Sequence, residues 1–270
     1  MPRGVNTQDE GRIQGRNVVN ANSSNIVAPG IVTDGLVLHL DAGNYESYPI
    51  AGTSWYDLSD RRNNGTLTNG PTYVRDGGGA ISFDGTNDYA STNNSIGNFG
   101  NLDFTICLIF KTTTSTSAAC FLAKSIGGNP ATDYGWLVNH SSSGNLGFAC
   151  ATANVAWGGT GSYSIRTDGV AINDNNWKYV VIVANRGLAD VAIYINNVSV
   201  SLGAYVGKAS FTTLGDINNT QNLTIASESD AGGSPFHIAA TIPVVKLYNR
   251  ALTPTEVAQN FNALRSRFNI

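Results

Sequence analysis

The chain has 270 residues, 41% hydrophobic and 13% charged, with a formal net charge of −3. That is enough apolar material to build one large domain or two small ones, and it excludes a chain that is disordered throughout. Its longest basic cluster is Arg61-Arg62, so it lacks the cationic stripe that displaces counterions from phosphates, and nucleic acid is excluded as a partner.

Residues 1 to about 33 form an extended arm, with scattered Val and Ile and no period of two or of 3.6. No apolar core of a secretory signal is present in MPRGVNTQDEGRIQGR, so ordinary export is not expected. No apolar run reaches the ~18 residues that cross a bilayer, so membrane insertion is not expected either. Fully extended, such an arm reaches about 100 Å, far enough to strap across a neighbouring protein. Arg3, Arg12, Ile13, Arg16, Val18 and Val19 are the arm residues expected at that interface.

From Gly35 the pattern becomes alternating. GLVLHLD (35–41) places Leu36, Leu38 and Leu40 on one face of a half-buried strand. Similar runs follow at 80–83, 103–112, 119–124, 134–140, 146–151, 177–186, 191–196, 198–202, 223–227 and 240–249. Between them stand Asn-Gly, Asp-Gly, Gly-Gly and Asn-Asn pairs that tolerate positive φ. Asn196-Asn197 predicts a two-residue hairpin. The 30 glycines and the few glutamates do not suit a helical protein. Many short strands with short connections predict an all-β, two-sheet antiparallel sandwich of jelly-roll type over 34–270. One helix is expected, at about 254–266. Thr253 caps it, Pro254 fits its first position, Glu256 closes the capping box, and Val257, Phe261 and Leu264 make one apolar stripe.

Four pieces carry a family resemblance in order: GLVLHLD (35–41), DLSDRRNNGTL (57–67), ISFDGTNDYA (81–90) and VVKLYNRALTPTEVAQNF (244–261). They resemble the laminin-G-like, concanavalin A-like jelly rolls, over about residues 35 to 265. The ending, LYNRALTPTEVAQNFNALRSRFNI, is similar to the tails of such domains in phage virion proteins. This fold carries lectins, glycosidases, adhesion modules and virion decorations, so the resemblance leaves function to the site.

Glycoside hydrolysis needs two carboxylates about 5 to 9.5 Å apart. The glutamates are Glu10, Glu46, Glu228 and Glu256, and none heads the E-x-D-x-x-E-like run that glucanases of this fold use. The closest pair, Glu228 and Asp230, sits in a Gly-rich loop. No G-x-S-x-G or HExxH motif occurs, and His39, His140 and His237 fall in or at the ends of strands. The chain is therefore read as non-enzymatic. Cys107, Cys120 and Cys150 lie among apolar residues and read as buried thiols.

Two candidate sites remain. Asp84, Asn87 and Asp88 in ISFDGTNDYA offer oxygens for calcium, but with Ile81 and Phe83 inward and Asp84-Gly85 at the bend the stretch reads first as a hairpin turn. No cofactor is required, and calcium is the one candidate. Trp157, in a Gly-rich loop, and Tyr163 nearby read as a stacking platform for a sugar. The leading expectation is a structural phage virion protein, in the capsid decoration or the tail. It would be made in the host cytoplasm, multimeric in the assembly and tied to other virion proteins through its arm. The alternative is a carbohydrate-binding or receptor-binding module for cell-surface glycans.

Overall fold

The computed structural model describes residues 30–125, 134–141, 144–152, 162–188, 190–204, 211–229 and 236–270. The strands run β1 (Leu36–Asp41), β2 (Ser54–Trp55), β3 (Gly65–Thr68), β4 (Thr72–Val74), β5 (Ala80–Asp84) and β6 (Tyr89–Ser91). They continue with β7 (Phe104–Lys111), β8 (Cys120–Ser125), β9 (Gly135–His140), β10 (Leu146–Ala151), β11 (Tyr163–Thr167) and β12 (Lys178–Asn185). The last are β13 (Asp190–Ile195), β14 (Val198–Ser199), β15 (Leu202–Ala204), β16 (Thr224–Ile225) and β17 (Ala239–Tyr248), followed by one α-helix, α1 (Pro254–Phe268).

The strands form two antiparallel sheets. The first runs β14-β13-β12-β7-β17-β5-β4 and the second β15-β11-β10-β9-β8-β16-β6-β3-β2. β17 organises the first sheet. Its start pairs with β5, its end pairs with β1, and β7 lies along its other side. The sandwich core is filled by alternate residues of both sheets. Leu38 and Leu40 of β1, Phe104, Ile106 and Leu108 of β7, and Val245 and Leu247 of β17 face Trp136, Phe148, Tyr163 and Ile165. The jelly-roll expectation stands.

The long apolar runs of β7 and β12 have a second cause. Their other faces are also covered, because α1 lies on the outside of the first sheet. Cys107, Ile109, Tyr179, Val181, Val244 and Tyr248 pack there against Val257, Phe261 and Phe268. A strand covered on both faces loses its alternation and reads as a continuous hydrophobic run.

The helix forms as its sequence predicts. Thr253 accepts from the Glu256 amide, and the Glu256 side chain accepts from the Thr253 amide. Arg250 grips the Glu256 carboxylate with two nitrogens and also pairs with Asp34. That grip holds the Glu256 carboxyl down at about 2. Buried Asn260 ties in the segment before β1: its Oδ1 accepts from the Val32 amide and its Nδ2 donates to the Tyr248 hydroxyl. Residues 1–29, with all six arm residues named above, lie outside the described residues.

Three local expectations change. A bulge between Leu36 and Leu38 turns Leu36 to the helix side, and Val37 packs against the core instead. ISFDGTNDYA is not a hairpin: β5 belongs to the first sheet and β6 to the second, so the turn carries the chain across the sandwich. VSVSL also divides, with Val198–Ser199 in one sheet and Leu202–Ala204 in the other. The Asn196-Asn197 hairpin does form, with φ of 49° and 64° between paired Ile195 and Val198.

Candidate functional site

Two loops at one rim of the sandwich are held from within. The first, 57–64, is wound about the Asp57 carboxylate. Oδ1 accepts from the amides of His39 (2.7 Å) and Ser59 (2.9 Å). Oδ2 accepts from the Ser59 hydroxyl (2.7 Å) and the Asn63 amide (2.8 Å). A buried carboxylate with four donors fixes its loop, since each charge-assisted bond is stronger than a neutral one. Asn63 Nδ2 donates to the Val37 carbonyl, and Asn63 Oδ1 accepts from Asn93 Nδ2, which joins this loop to the next.

The second loop, 92–103, is fastened by two buried cations. Lys124 of β8 donates to the carbonyls of Asn94 (3.0 Å), Asn219 (3.0 Å) and Gln221, and to Asn219 Oδ1 (3.2 Å). Arg186 donates to the carbonyls of Gly100 (3.1 Å), Phe211 (3.1 Å) and Leu214, over the Phe211 ring. Trp136 Nε1 adds a bond to the Gly97 carbonyl at 2.8 Å.

Between these loops lies a cleft of ≈ 340 Å³ lined by Val37, Arg61, Asn63, Ser95, Ile96, Gly97, Asn98, Phe99 and Asn249. Among the described residues that line it there is no carboxylate and one charge, Arg61. Arg61, Ser95, Asn98 and Asn249 are exposed, while Asn63, Ile96 and Phe99 are buried. The volume falls at the small end of ligand clefts.

The sites expected from the sequence fare differently. Asp84 and Asp88 do close a turn: Asp84 Oδ1 accepts from the amides of Thr86 (2.7 Å) and Asn87 (3.4 Å), and Asp88 Oδ2 from that of Asp84 (3.2 Å). The amide bond from Thr86 leads in lowering the Asp84 carboxyl, whereas burial raises that of Asp88. The Asn87 carbonyl accepts from Asn69 Nδ2. Gly85 has a φ of 75°, and a Cβ there would meet the Ala239 amide nitrogen at 2.6 Å, so the turn needs glycine. Among the described residues no group of three or more His, Cys, Asp and Glu side chains could hold a metal. Trp157 lies outside the described residues. Tyr163 is corrected: it sits on the inner face of β11, 1% exposed, with its ring centroid 5.0 Å from that of Phe211, so no sugar can stack on it.

Several other reactive groups are subdued. Burial pushes the thiols of Cys107 (to about 11), Cys120 and Cys150 up. Burial lowers His39 to about 3, helped by Lys246 and Arg267, and lowers His140 as well. Glu228 is buried, 4% exposed, and Glu256 is held by Arg250.

Two face-to-face antiparallel sheets, one capped outside by a helix, with a loop-built cleft between two of the connections, define a jelly-roll β-sandwich. The sequence profile of the concanavalin A-like lectin/glucanases superfamily matches residues 84–258, and the chain belongs to that family. Among solved structures it is similar to the binding domain of paraclostridial mosquitocidal protein 1 (TM-score 0.62, 20% identity, covering 85% of this chain and 52% of that one). It is also similar to Trypanosoma rangeli sialidase in complex with 2,3-difluorosialic acid (TM-score 0.61, 18% identity, 92% and 35% covered). The botulinum neurotoxin serotype G binding domain is a third (TM-score 0.59, 17% identity, 84% and 50% covered). At such identities the likeness is one of fold, and this chain spans about half or less of each of those solved chains. None of the curated proteins compared with the chain matches it in sequence.

Sequence reasoning missed the cleft as a site. Arg61 and Asn63 were visible in DLSDRRNNGTL, where a basic pair meets two asparagines, yet the segments that meet there are far apart in the chain.

Proposed function

We propose that the chain is a non-catalytic binding module that takes a saccharide in the cleft between loops 57–64 and 92–103. The observation that carries this is the lining: exposed hydrogen-bonding side chains over an apolar floor, on loops already fixed before any ligand arrives. Preorganised loops lower the ordering cost of binding. Hydrolysis at this cleft has no support, because none of the described residues lining it is a carboxylate and glycosidases generally work with a pair of them. The binding domains among the similar structures favour the same reading.

A glycan array followed by titration calorimetry tests it. The wild type is expected to bind a defined set of glycans, and Asn249→Ala with Ser95→Ala to weaken binding about tenfold, roughly 1.4 kcal/mol. Binding that survives both changes untouched puts the site elsewhere, and no binding to any glycan removes the reading.

A place in a phage particle, capsid or tail, is the second reading. It rests on the character of residues 1–29 and on the ending, and the docking of residues 30–34 on α1 through Gln259 and Asn260 gives the arm a firm root. The chain would then meet shell or tail proteins through its arm. Deleting residues 1–29 is expected to leave a folded, ligand-competent protein that is lost from particles, as read by gel and electron microscopy. Full occupancy by the truncated protein refutes the anchoring role.

A further inference from the structure

We infer that the cleft is built for a saccharide bearing a carboxylate, with Arg61 as its anchor; this rests on the binding-module reading above and names the ligand class. Most of the cleft's polar lining is already engaged within the protein. Asn63 is bonded to Val37 and Asn93. Asn98 donates from Nδ2 to the Asn94 carbonyl and accepts at Oδ1 from the Asn219 amide. The Ser95 hydroxyl donates to Asn93 Oδ1.

Arg61 differs. It is exposed, and among the described residues its guanidinium has neither a carboxylate nor a carbonyl partner. Arg250 and Arg267, by contrast, both hold carboxylates. The nearby Asp57 carboxylate cannot quench it by folding over, because four donors hold that group inward. The Arg61 backbone is itself fixed, with its amide donating to Ser59 Oγ at 3.2 Å.

The cleft also lacks the usual grip on a neutral sugar. The one aromatic ring among the described residues that line it, Phe99, is 5% exposed and stacked on Phe104 at 4.2 Å, so it offers no open face to a pyranose. Without a stacking platform a neutral sugar would rely on a few neutral hydrogen bonds, which are weak net of water. A carboxylate meeting a planar guanidinium gains two charge-assisted bonds in one geometry. The chemistry on offer therefore selects an acidic sugar, leaving Asn249, and Ser95 Oγ as an acceptor only, to meet its hydroxyls.

The test uses the full chain and two probes, methyl α-N-acetylneuraminide and a glucuronic-acid-terminated disaccharide, each beside its uncharged methyl ester, with a sulfated disaccharide as control. Calorimetry or saturation-transfer NMR is expected to show at least one acid bound tenfold or more tighter than its ester. Arg61→Gln should erase that difference, Arg61→Lys should keep part of it, and added salt should weaken only the acid. Because Arg61 is exposed, both variants should melt like the wild type. Esters that bind as well as acids, a preference retained in Arg61→Gln, or a stronger preference for the sulfate overturns the inference. Neutral glycans bound at the cleft without preference overturn it while leaving the module reading intact; no glycan bound at all removes both.

Discussion

Replacing Lys124 by Met is expected to lower stability by about 3–5 kcal/mol, a large part of what a domain of ordinary stability possesses. Lys124 is 0% exposed on the inner face of β8, beside Trp136. Its ammonium is ringed by the carbonyls of Asn94, Asn219 and Gln221 and by Asn219 Oδ1, and Asn219 Nδ2 answers the Lys124 carbonyl at 2.9 Å. Met matches the length and keeps the packing. It leaves the carbonyls dry and unmatched, at about 1–3 kcal/mol each, less what water entering the space recovers. The loops that build the cleft should loosen together, so ligand binding should fall with stability. Urea denaturation at neutral pH gives the number, and a loss under about 1 kcal/mol would show that the ring of carbonyls is not what holds the rim.

The same substitution at Lys246 should act the other way, raising stability by about 1–3 kcal/mol at pH 7. Lys246 is also 0% exposed, on the outer face of β17 under α1, in register with His39 on one side and Cys107 on the other. Its Nζ has no hydrogen-bond partner among the described residues. Burial brings its pKa down to about 8, against the smaller pull of Cys107 and Asp41. An ammonium buried without acceptors opposes folding, and an apolar side chain of like volume relieves that penalty.

The pH dependence carries a definite sign. The unfolded amine keeps its proton to about 10.5, while the folded one releases it near 8. Between those values the unfolded state binds more protons, so the wild type gains stability as pH rises, by at most about 3 kcal/mol. Cys107, whose thiol is pushed up to about 11, and the raised Tyr179 and Tyr248 oppose this gain above pH 9. These groups are present in both proteins, so the quantity to plot is the stability of Lys246→Met minus that of the wild type. It should shrink steadily from pH 8 to 10.5. A difference that stays flat, or a variant less stable at pH 7, refutes the unpaired ammonium.

These two lysines mark where the sequence stops being legible. ACFLAK and VVKLYN look alike as strand endings, and alternation alone says only which face each lysine takes. Whether carbonyls wait there depends on loops around residues 94 and 219–221 that no local pattern locates. The long strands and α1 were readable because their periods and caps are strong. β2, β3, β4, β6 and β11 were not, since SW, GTLT, TYV, YAS and YSIRT are too short or too polar to show a period.

ISFDGTNDYA was rightly seen as a turn with inward Ile81 and Phe83, yet a turn within a sheet and a turn between sheets have the same local chemistry. Tyr163 failed for a related reason. Its glycine-rich surroundings suggested a surface loop, while the partner that buries it, Phe211, lies far along the chain. Arg61 was noticed only as too small a basic cluster for nucleic acid, and its meaning depends on Asn249 and the 95–99 segment closing around it.

The place of β17 bears on how the molecule is made. β1, β5 and β7 emerge from the ribosome long before residues 239–248, the strand on which all three are hydrogen-bonded. Until then β1 has no pairing partner in its sheet and β5 lacks its central neighbour. The first sheet therefore closes only after β17 has been synthesised, with α1 covering it afterwards. Pairings between such distant segments are slow to form, so a nascent chain halted before residue 248 exposes open strand edges to aggregation.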